Sequence, residues 1–246
     1  MQKTEKIYGI RAVIEAIHTD ETIDKVFLQK GLKGDSYREL ETLIRKKGIN
    51  TAYVPVEKLN RLTKGNHQGV IAHISPISFF ELEELIEGTL NSKKQPLFLL
   101  LDQISDVRNF GAIIRTAECT GVDGIIVPRK GAAPVTSDTI KTSAGAAFKV
   151  PMTKVNHIKD AIFYLQASGV KVVAATEKTE NSIYDVSFKG PCSIVMGSEG
   201  MGISPSTLKS VDEKAKLPML GEIGSLNVSV ACGVFLYEVL RQRSLS

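Results

Sequence analysis

Four short runs, Leu97–Leu101, Gly124–Val127, Val170–Ala174 and Cys192–Met196, are almost wholly apolar, and helical patterns of about ten residues lie between them. A strand that is apolar at every position must be covered on both faces, which belongs to a parallel sheet with helices on either side. The intervening patterns place helices at Gly111–Thr120, within Ser137–Ser143 and at Ile158–Ala167, and a further strand near Ala215–Leu217. Ligands of such sheets gather beyond the carboxyl ends of the strands. Three unusual polar stretches follow strands here: Asp106–Arg115, Gly197–Gly202 and Pro218–Asn227.

The first 75 residues read as a separate small α/β unit. Helices are predicted at Ile10–Ile17 and Tyr37–Lys47, the second stopped by Gly48, and strands at Lys25–Leu28, Thr51–Pro55 and Gly69–Ile74. In the last of these, Val70, Ala72 and Ile74 alternate with Ile71 and His73. Basic residues are frequent, among them Lys25, Lys30, Lys33, Arg38, Lys58, Arg61 and Lys64. They suit an RNA or DNA contact surface, and Arg45–Lys47 equally suits a solvated helix face. Between Ser75 and Pro96 the character changes: an acidic helical piece, Phe80–Glu87, precedes a loop, Asn91–Pro96. The expected organisation is therefore a unit over 1–75, a linker over 76–96 and a larger α/β domain over 97–246.

The 246 residues are 43% hydrophobic, ample for such cores. The start of the chain leads into no apolar signal segment and no run of 18 apolar residues occurs, so a soluble, unexported and hence cytoplasmic protein is expected. Cys119, Cys192 and Cys232 lie scattered in apolar surroundings, as buried free thiols would, and His18, His67, His73 and His157 form no zinc-like group. A net charge of +4 mildly favours a polyanionic partner without identifying one.

The polar stretches carry the chemistry. Cys192–Met196 breaks into Gly197, Gly200 and Gly202, a tight turn with Glu199 as its only charge. Asn109 reads as the cap of a helix in which Gly111 allows close approach. Arg115 is an isolated charge between Ile113, Ile114 and Ala117, suited to a bidentate partner such as Glu199 or a phosphate, or to an internal ion pair with Glu118. Ser225 and Asn227 form a polar pair where the last helix, Val228–Leu240, begins; capping needs only one of them, which leaves an amide over. That helix is apolar nearly all round and should be covered on every face, by its own domain or by another subunit.

Taken together, Asn109-x-Gly111-x-x-x-Arg115-Thr116-Ala117-Glu118, then Ile194-Val-Met-Gly-Ser-Glu-Gly-Met-Gly202, then Leu217-Pro-Met-x-Gly221-x-x-x-Ser225-Leu-Asn-Val-Ser-Val-Ala231 with Leu236–Arg241 resembles the three ordered motifs of the SpoU/TrmH family of RNA ribose 2'-O-methyltransferases. The resemblance covers roughly Leu97 to Arg241. Gly9-x-x-Ala-Val13 and His67–Ala72 resemble the ribosomal-protein-like substrate-binding domain of a large branch of that family. One departure is Asp106-Val107 where the family commonly has Asp-Pro, which loosens a turn and removes no catalytic group.

The resemblance implies a C-terminal trefoil knot of the SPOUT type, which physical topology rules would not suggest. It implies S-adenosylmethionine held by Met196, Gly197, Gly200, Leu217, Met219 and the backbone around Leu226, and a homodimer with active sites near its interface. The implied catalytic set is Asn109, Arg115, Glu199, Ser225 and Asn227, with no metal. A guanidinium stays protonated in proteins, so Arg115 is expected at the ribose 2'-hydroxyl or its phosphate in an electrostatic role. Glu199 would orient Arg115 or the ribose, and Ser225 with Asn227 would line the pocket. The separate N-terminal unit points to a guanosine of large-subunit (23S) ribosomal RNA or its precursor as substrate. A tRNA substrate and a non-catalytic RNA-binding role are the alternatives. A dinucleotide-dependent oxidoreductase is disfavoured, because no glycine fingerprint follows the first strand of the sheet.

Overall fold

In the computed structural model, residues 6–19 and 21–244 are described, and they fall into two compact units. One runs through Ser78 and includes 134–137; the other comprises the remainder from Phe79 onward.

The first unit contains β1 (Lys6–Tyr8), α1 (Ile10–His18), β2 (Ile23–Gln29), α2 (Asp35–Lys46), β3 (Thr51–Val54), α3 (Val56–Leu62) and β4 (Val70–Ile74). The strands pair in the order β1-β4-β2-β3, with β2 and β3 parallel and the other pairs antiparallel. The two-residue period of the strands explains its double core. Val26, Leu28, Val70 and Ala72 pack with Val13, Ile17, Leu40 and Ile44 of α1 and α2, while Phe27 and Ile71 face Leu59 of α3. The alternation in β4 is thus the one its sequence predicts. Not foreseen were β1, only three residues long, and α3, whose basic residues drew the reading toward the surface although Pro55 and Glu57 are fair start signals.

The second unit contains α4 (Leu82–Ser92), β5 (Leu97–Asp102), α5 (Val107–Cys119), β6 (Gly124–Pro128), α6 (Ser137–Thr142), β7 (Met152–Val155), α7 (Ile158–Ala167), β8 (Lys171–Ala175), β9 (Cys192–Gly197), α8 (Pro205–Leu208), β10 (Glu213–Ala215) and α9 (Val228–Ser244). Its sheet runs β10-β8-β9-β5-β6-β7 and every pair is parallel. The acidic piece forms α4, which extends to Ser92 and buries Leu85 and Ile86 in this unit's core. On the same sheet face lie Phe98, Leu100, Ile126, Val172 and Val195, under Ile158, Ala161, Ile162 and Leu165 of α7. Helices α5 and α9 pack against each other, and α9 also meets β9. The strand β7 had no counterpart in the sequence reading, and β10 ends where the expected strand begins, leaving Leu217 in a loop.

One expectation about burial is corrected. Cys119 is exposed, because it closes α5 on the side away from the sheet. Helix α9 is not covered on every face within the chain: Val230, Val234 and Tyr237 are 52%, 37% and 57% exposed, while Cys232, Phe235, Leu236 and Val239 are buried. No helix among the described residues is long and apolar enough to cross a membrane.

The arrangement places two loops side by side. Central strands β5 and β9 pair from Leu97↔Cys192 to Asp102↔Gly197, so their carboxyl ends finish level. From β5 the chain moves to β6 and β7 on one side, whereas β8 and β10 lie on the other. A crevice between diverging connections is therefore expected at this point.

Candidate active site

After β9 the chain folds back on itself. Ser198 and Gly202 exchange backbone hydrogen bonds of 3.1 and 2.9 Å, and Gly202 takes a φ of 67° that favours glycine. A Cβ on Gly197 would stand 2.1 Å from the Gly202 carbonyl carbon, so only glycine lets the loop cross its own strand end. The exit is tied to β5, where the buried Asp102 Oδ2 accepts the Ser204 N–H at 3.0 Å. Glu199 stands exposed at the tip of this braced turn.

At the start of α5 the cap is Asp106, not Asn109: its Oδ1 accepts the N–H groups of Arg108 and Asn109 at 2.9 and 2.8 Å. Asp106 stands just ahead of the first turn, where a cap must stand, whereas Asn109 is already its third helical residue. The Asn109 side chain is thereby released for other partners.

At the start of α9, Asn227 does two things at once. Its Oδ1 accepts from the Ser229 N–H at 2.9 Å and from the Ser229 hydroxyl at 2.5 Å, which caps the helix. With the oxygen so engaged, Nδ2 must point the other way. It donates to Glu199 Oε1 at 2.6 Å and to Asn109 Oδ1 at 3.0 Å. Three loops are thus joined through one amide.

Glu199 sits between two clefts. One, of about 530 Å³, is lined by Met196, Gly197, Gly200, Leu217, Met219, Ser225 and Leu226, all expected from sequence. The other, of about 440 Å³, is lined by Asn109, Asp106 and Gln103 and shares the Ser198–Met201 loop with the first. Sequence reasoning missed Thr176–Lys178 in the first cleft, although a polar stretch following an apolar strand was the available signal. It also missed Val228, Ala231 and Phe235, which read as helix core.

Arg115 lines neither cleft. It is exposed on α5, makes no ion pair among the described residues, and does not reach Glu199. Its other expected partner, Glu118, pairs with Lys149 at 3.0 Å. Its neighbours on α5, Ala112 and Thr116, line an apolar groove of about 810 Å³ with Val230, Val234 and Tyr237 of α9.

Burial pushes the Cys232 thiol up to about 12 and also raises that of Cys192. Among the described residues no three metal-ligating side chains come together.

The first cleft suits an adenine-bearing sulfonium. Its walls offer apolar side chains for a flat ring and backbone for polar edges, at a volume ordinary for a small-molecule site. At Gly200 and Gly224 a Cβ would meet nothing within 4 Å, so both glycines face open space along the same wall.

Comparison with known proteins accords with this geometry. The family model described as SpoU rRNA Methylase family matches residues 96–237, and that described as RNA 2'-O ribose methyltransferase substrate binding matches residues 6–80. The 23S rRNA (guanosine-2'-O-)-methyltransferase RlmB of Pseudomonas aeruginosa is 36% identical over 249 residues, covering 99% of each chain. The crystal structure of the SpoU methyltransferase AviRb from Streptomyces viridochromogenes, in complex with AdoMet, superposes with a TM-score of 0.63 at 23% identity, covering 98% of this chain and 91% of that one. A tRNA modifying enzyme, TrmH/SpoU of A. aeolicus, gives 0.56 at 27% identity over 67% of this chain and 85% of its own. With a braced glycine turn, a capped polar helix start and a second polar loop meeting at one carboxylate, in the order those motifs take along the sequence, the chain belongs to the SpoU rRNA methylase family.

Proposed function

We propose that this chain transfers the methyl group of S-adenosylmethionine to the ribose 2'-hydroxyl of a guanosine in 23S ribosomal RNA or its precursor. The observation that carries the reading is the Asn227 amide, which joins Glu199 and Asn109 at the mouth of a nucleoside-sized cleft. Full-length similarity to an rRNA guanosine methyltransferase supports the substrate.

Met196, Gly197, Gly200, Leu217, Met219 and Leu226 hold the cofactor. When bound, the sulfonium supplies an electrophilic methyl and departs as a neutral thioether, so no metal is needed. What the chain supplies is position and charge. Glu199, fixed by Asn227, accepts a hydrogen bond from the ribose and aligns its 2'-oxygen, and Ser225 lines the approach. Asn109, held through its Oδ1, presents its own Nδ2 toward the acceptor. Arg115 stabilises the developing oxyanion or the adjacent phosphate.

Because Arg115 is exposed and lines no cleft of its own chain, on a helix whose Ala112 and Thr116 share a groove with the exposed face of α9, it serves the site of a second copy. The working unit is then a homodimer, with Val230, Val234 and Tyr237 at its centre. Residues 1–75 bind RNA, the stretch 76–96 leads from them into the second unit with α4 packed in that unit's core, and 97–246 carry a trefoil knot around the cofactor. The enzyme works in the cytoplasm, where its RNA is made.

The test is transfer of labelled methyl from S-adenosylmethionine to total RNA from cells lacking this protein, mapped at nucleotide resolution. One labelled guanosine in 23S RNA supports the reading; label confined to tRNA moves the substrate. With folded protein and ribosomal precursor both present, no transfer and no cofactor binding would refute the enzyme.

A further inference from the structure

The second cleft lies across the Ser198–Met201 loop from the cofactor cleft, and it presents polar side chains with hydrogen-bonding capacity to spare. Asp106 uses Oδ1 alone to cap α5, and its Oδ2 has no partner among the described residues. Gln103 takes a φ of 63°, a left-handed conformation that a residue other than glycine adopts at a cost. Such strain persists where the surroundings impose it, and it often marks a functional position. Here the surroundings are evident. The chain on one side ends β5 at buried Asp102, and on the other the Ile104 carbonyl accepts the Ala133 N–H at 2.7 Å. Gly131 lies beside it, where a Cβ would stand 3.6 Å from Gln103 Cγ, an ordinary contact. The Gln103 amide makes no hydrogen bond among the described residues.

We propose that this cleft receives the base of the target nucleoside and selects guanine, with Asp106 Oδ2 accepting from the N1–H and N2 amine edge and the Gln103 amide donating to O6. The assignment rests on the reading of the chain as a ribose methyltransferase. Its chemistry is that of the base edges. Guanine presents one acceptor beside two donors, which an amide N–H and a carboxylate oxygen complement. Adenine turns the lone pair of N1 toward the carboxylate and an amine toward the amide hydrogens, so both contacts become repulsive. Unstacked bases in single-stranded RNA are read along this edge, and a cleft of about 440 Å³ has space for one. Asn109 and Glu199 line the same cleft, so the ribose of a base seated there is beside the catalytic cluster.

The experiment uses the full chain, S-adenosylmethionine, and the RNA whose guanosine the wild-type protein methylates, prepared with guanosine or with adenosine at that position. Asp106→Asn keeps an oxygen for the cap, since asparagine and aspartate cap about equally well, but it turns the free atom from acceptor to donor. The expected result is a guanosine-over-adenosine ratio of kcat/KM lowered at least about tenfold, with adenosine gaining in absolute rate. Gln103→Ala lowers the same ratio less. A loss equal for both RNAs at unchanged melting temperature would overturn the base-reading role and leave the methyltransferase reading intact. Wild-type protein that methylates no RNA would remove that reading, and this proposal with it.

Discussion

Asn227 donates from Nδ2 to Glu199 Oε1 at 2.6 Å while its Oδ1 caps α9 through Ser229, so one side chain both starts the last helix and fixes the site carboxylate. The two roles can be separated. Asn227→Asp retains an oxygen for the cap and sets a second carboxylate against Glu199. Methyl transfer should fall by about 10²-fold, with melting temperature changed little. Asn227→Ala should show the same loss of activity and in addition about 1 kcal/mol of lost stability. Steady-state kinetics beside thermal melts would distinguish them; an aspartate variant with full turnover would exclude the bridging amide from catalysis.

Gly197 and Gly200 make an internal contrast. A methyl group at 197 collides with the Gly202 backbone, whereas at 200 it meets nothing within 4 Å. Gly197→Ala should therefore displace the whole turn and abolish cofactor binding by calorimetry. Gly200→Ala should keep the fold, as seen by circular dichroism, and weaken the cofactor only through crowding of the cleft.

Arg243 has no carboxylate partner in the described structure, yet it is well satisfied. Its guanidinium donates to the carbonyls of Gln95, Pro96, Phe188 and Gly190 and to Cys192 Sγ, at 2.7 to 3.2 Å. It clasps the end of α9 to the beginnings of both β5 and β9. Replacement by alanine strands several acceptors and should lower stability by about 2 kcal/mol in denaturant titrations. Lysine should recover only part of this, because an ammonium lacks the planar fork. An unchanged denaturation midpoint would show that water replaces the clasp.

Glu238 is buried and accepts from Arg241 Nε and Nη2 at 2.8 Å. That hydrogen-bonded guanidinium holds its carboxyl below the ordinary value of 4.5, with a further bond from Gln242 acting in the same direction. A lowered native pKa means that the stabilisation is complete above about pH 4.5 and is lost as pH falls through the folded value. Melting temperatures measured from pH 6 down to pH 3 should decline over the acid end of that range. The Glu238→Gln variant should lose the part of the decline that comes from this pair, and an identical profile would disprove the contribution.

The exposed face of α9 predicts the assembly. Val234→Glu places a charge at the centre of the Val230, Val234 and Tyr237 surface without touching the buried face. Light scattering should show wild-type dimers and variant monomers, with methyl transfer lost. A variant that stays dimeric and active would put the interface elsewhere.

The sequence by itself determined the parallel sheet and the three polar loops. Strands that are almost wholly apolar, such as Leu97–Leu101 and Cys192–Met196, belong in a sheet covered on both faces, and clustered glycines after a strand end make a turn. Most of the cleft residues were named only through the resemblance of the three loops to the family's motifs. Tertiary structure alone decided which of them meet. Asp106 rather than Asn109 caps α5, a competition settled by local geometry that residue type does not rank. Asn227 reaches Asn109 across 118 residues of chain, and Arg115 turns outward although its motif is intact. That α9 leaves Val230, Val234 and Tyr237 uncovered within the chain was also beyond the sequence, because the sequence of a helix records which faces are apolar and not what lies against them. Pattern follows from the period of each element, whereas pairing depends on how loops from distant elements converge, and no local period encodes that.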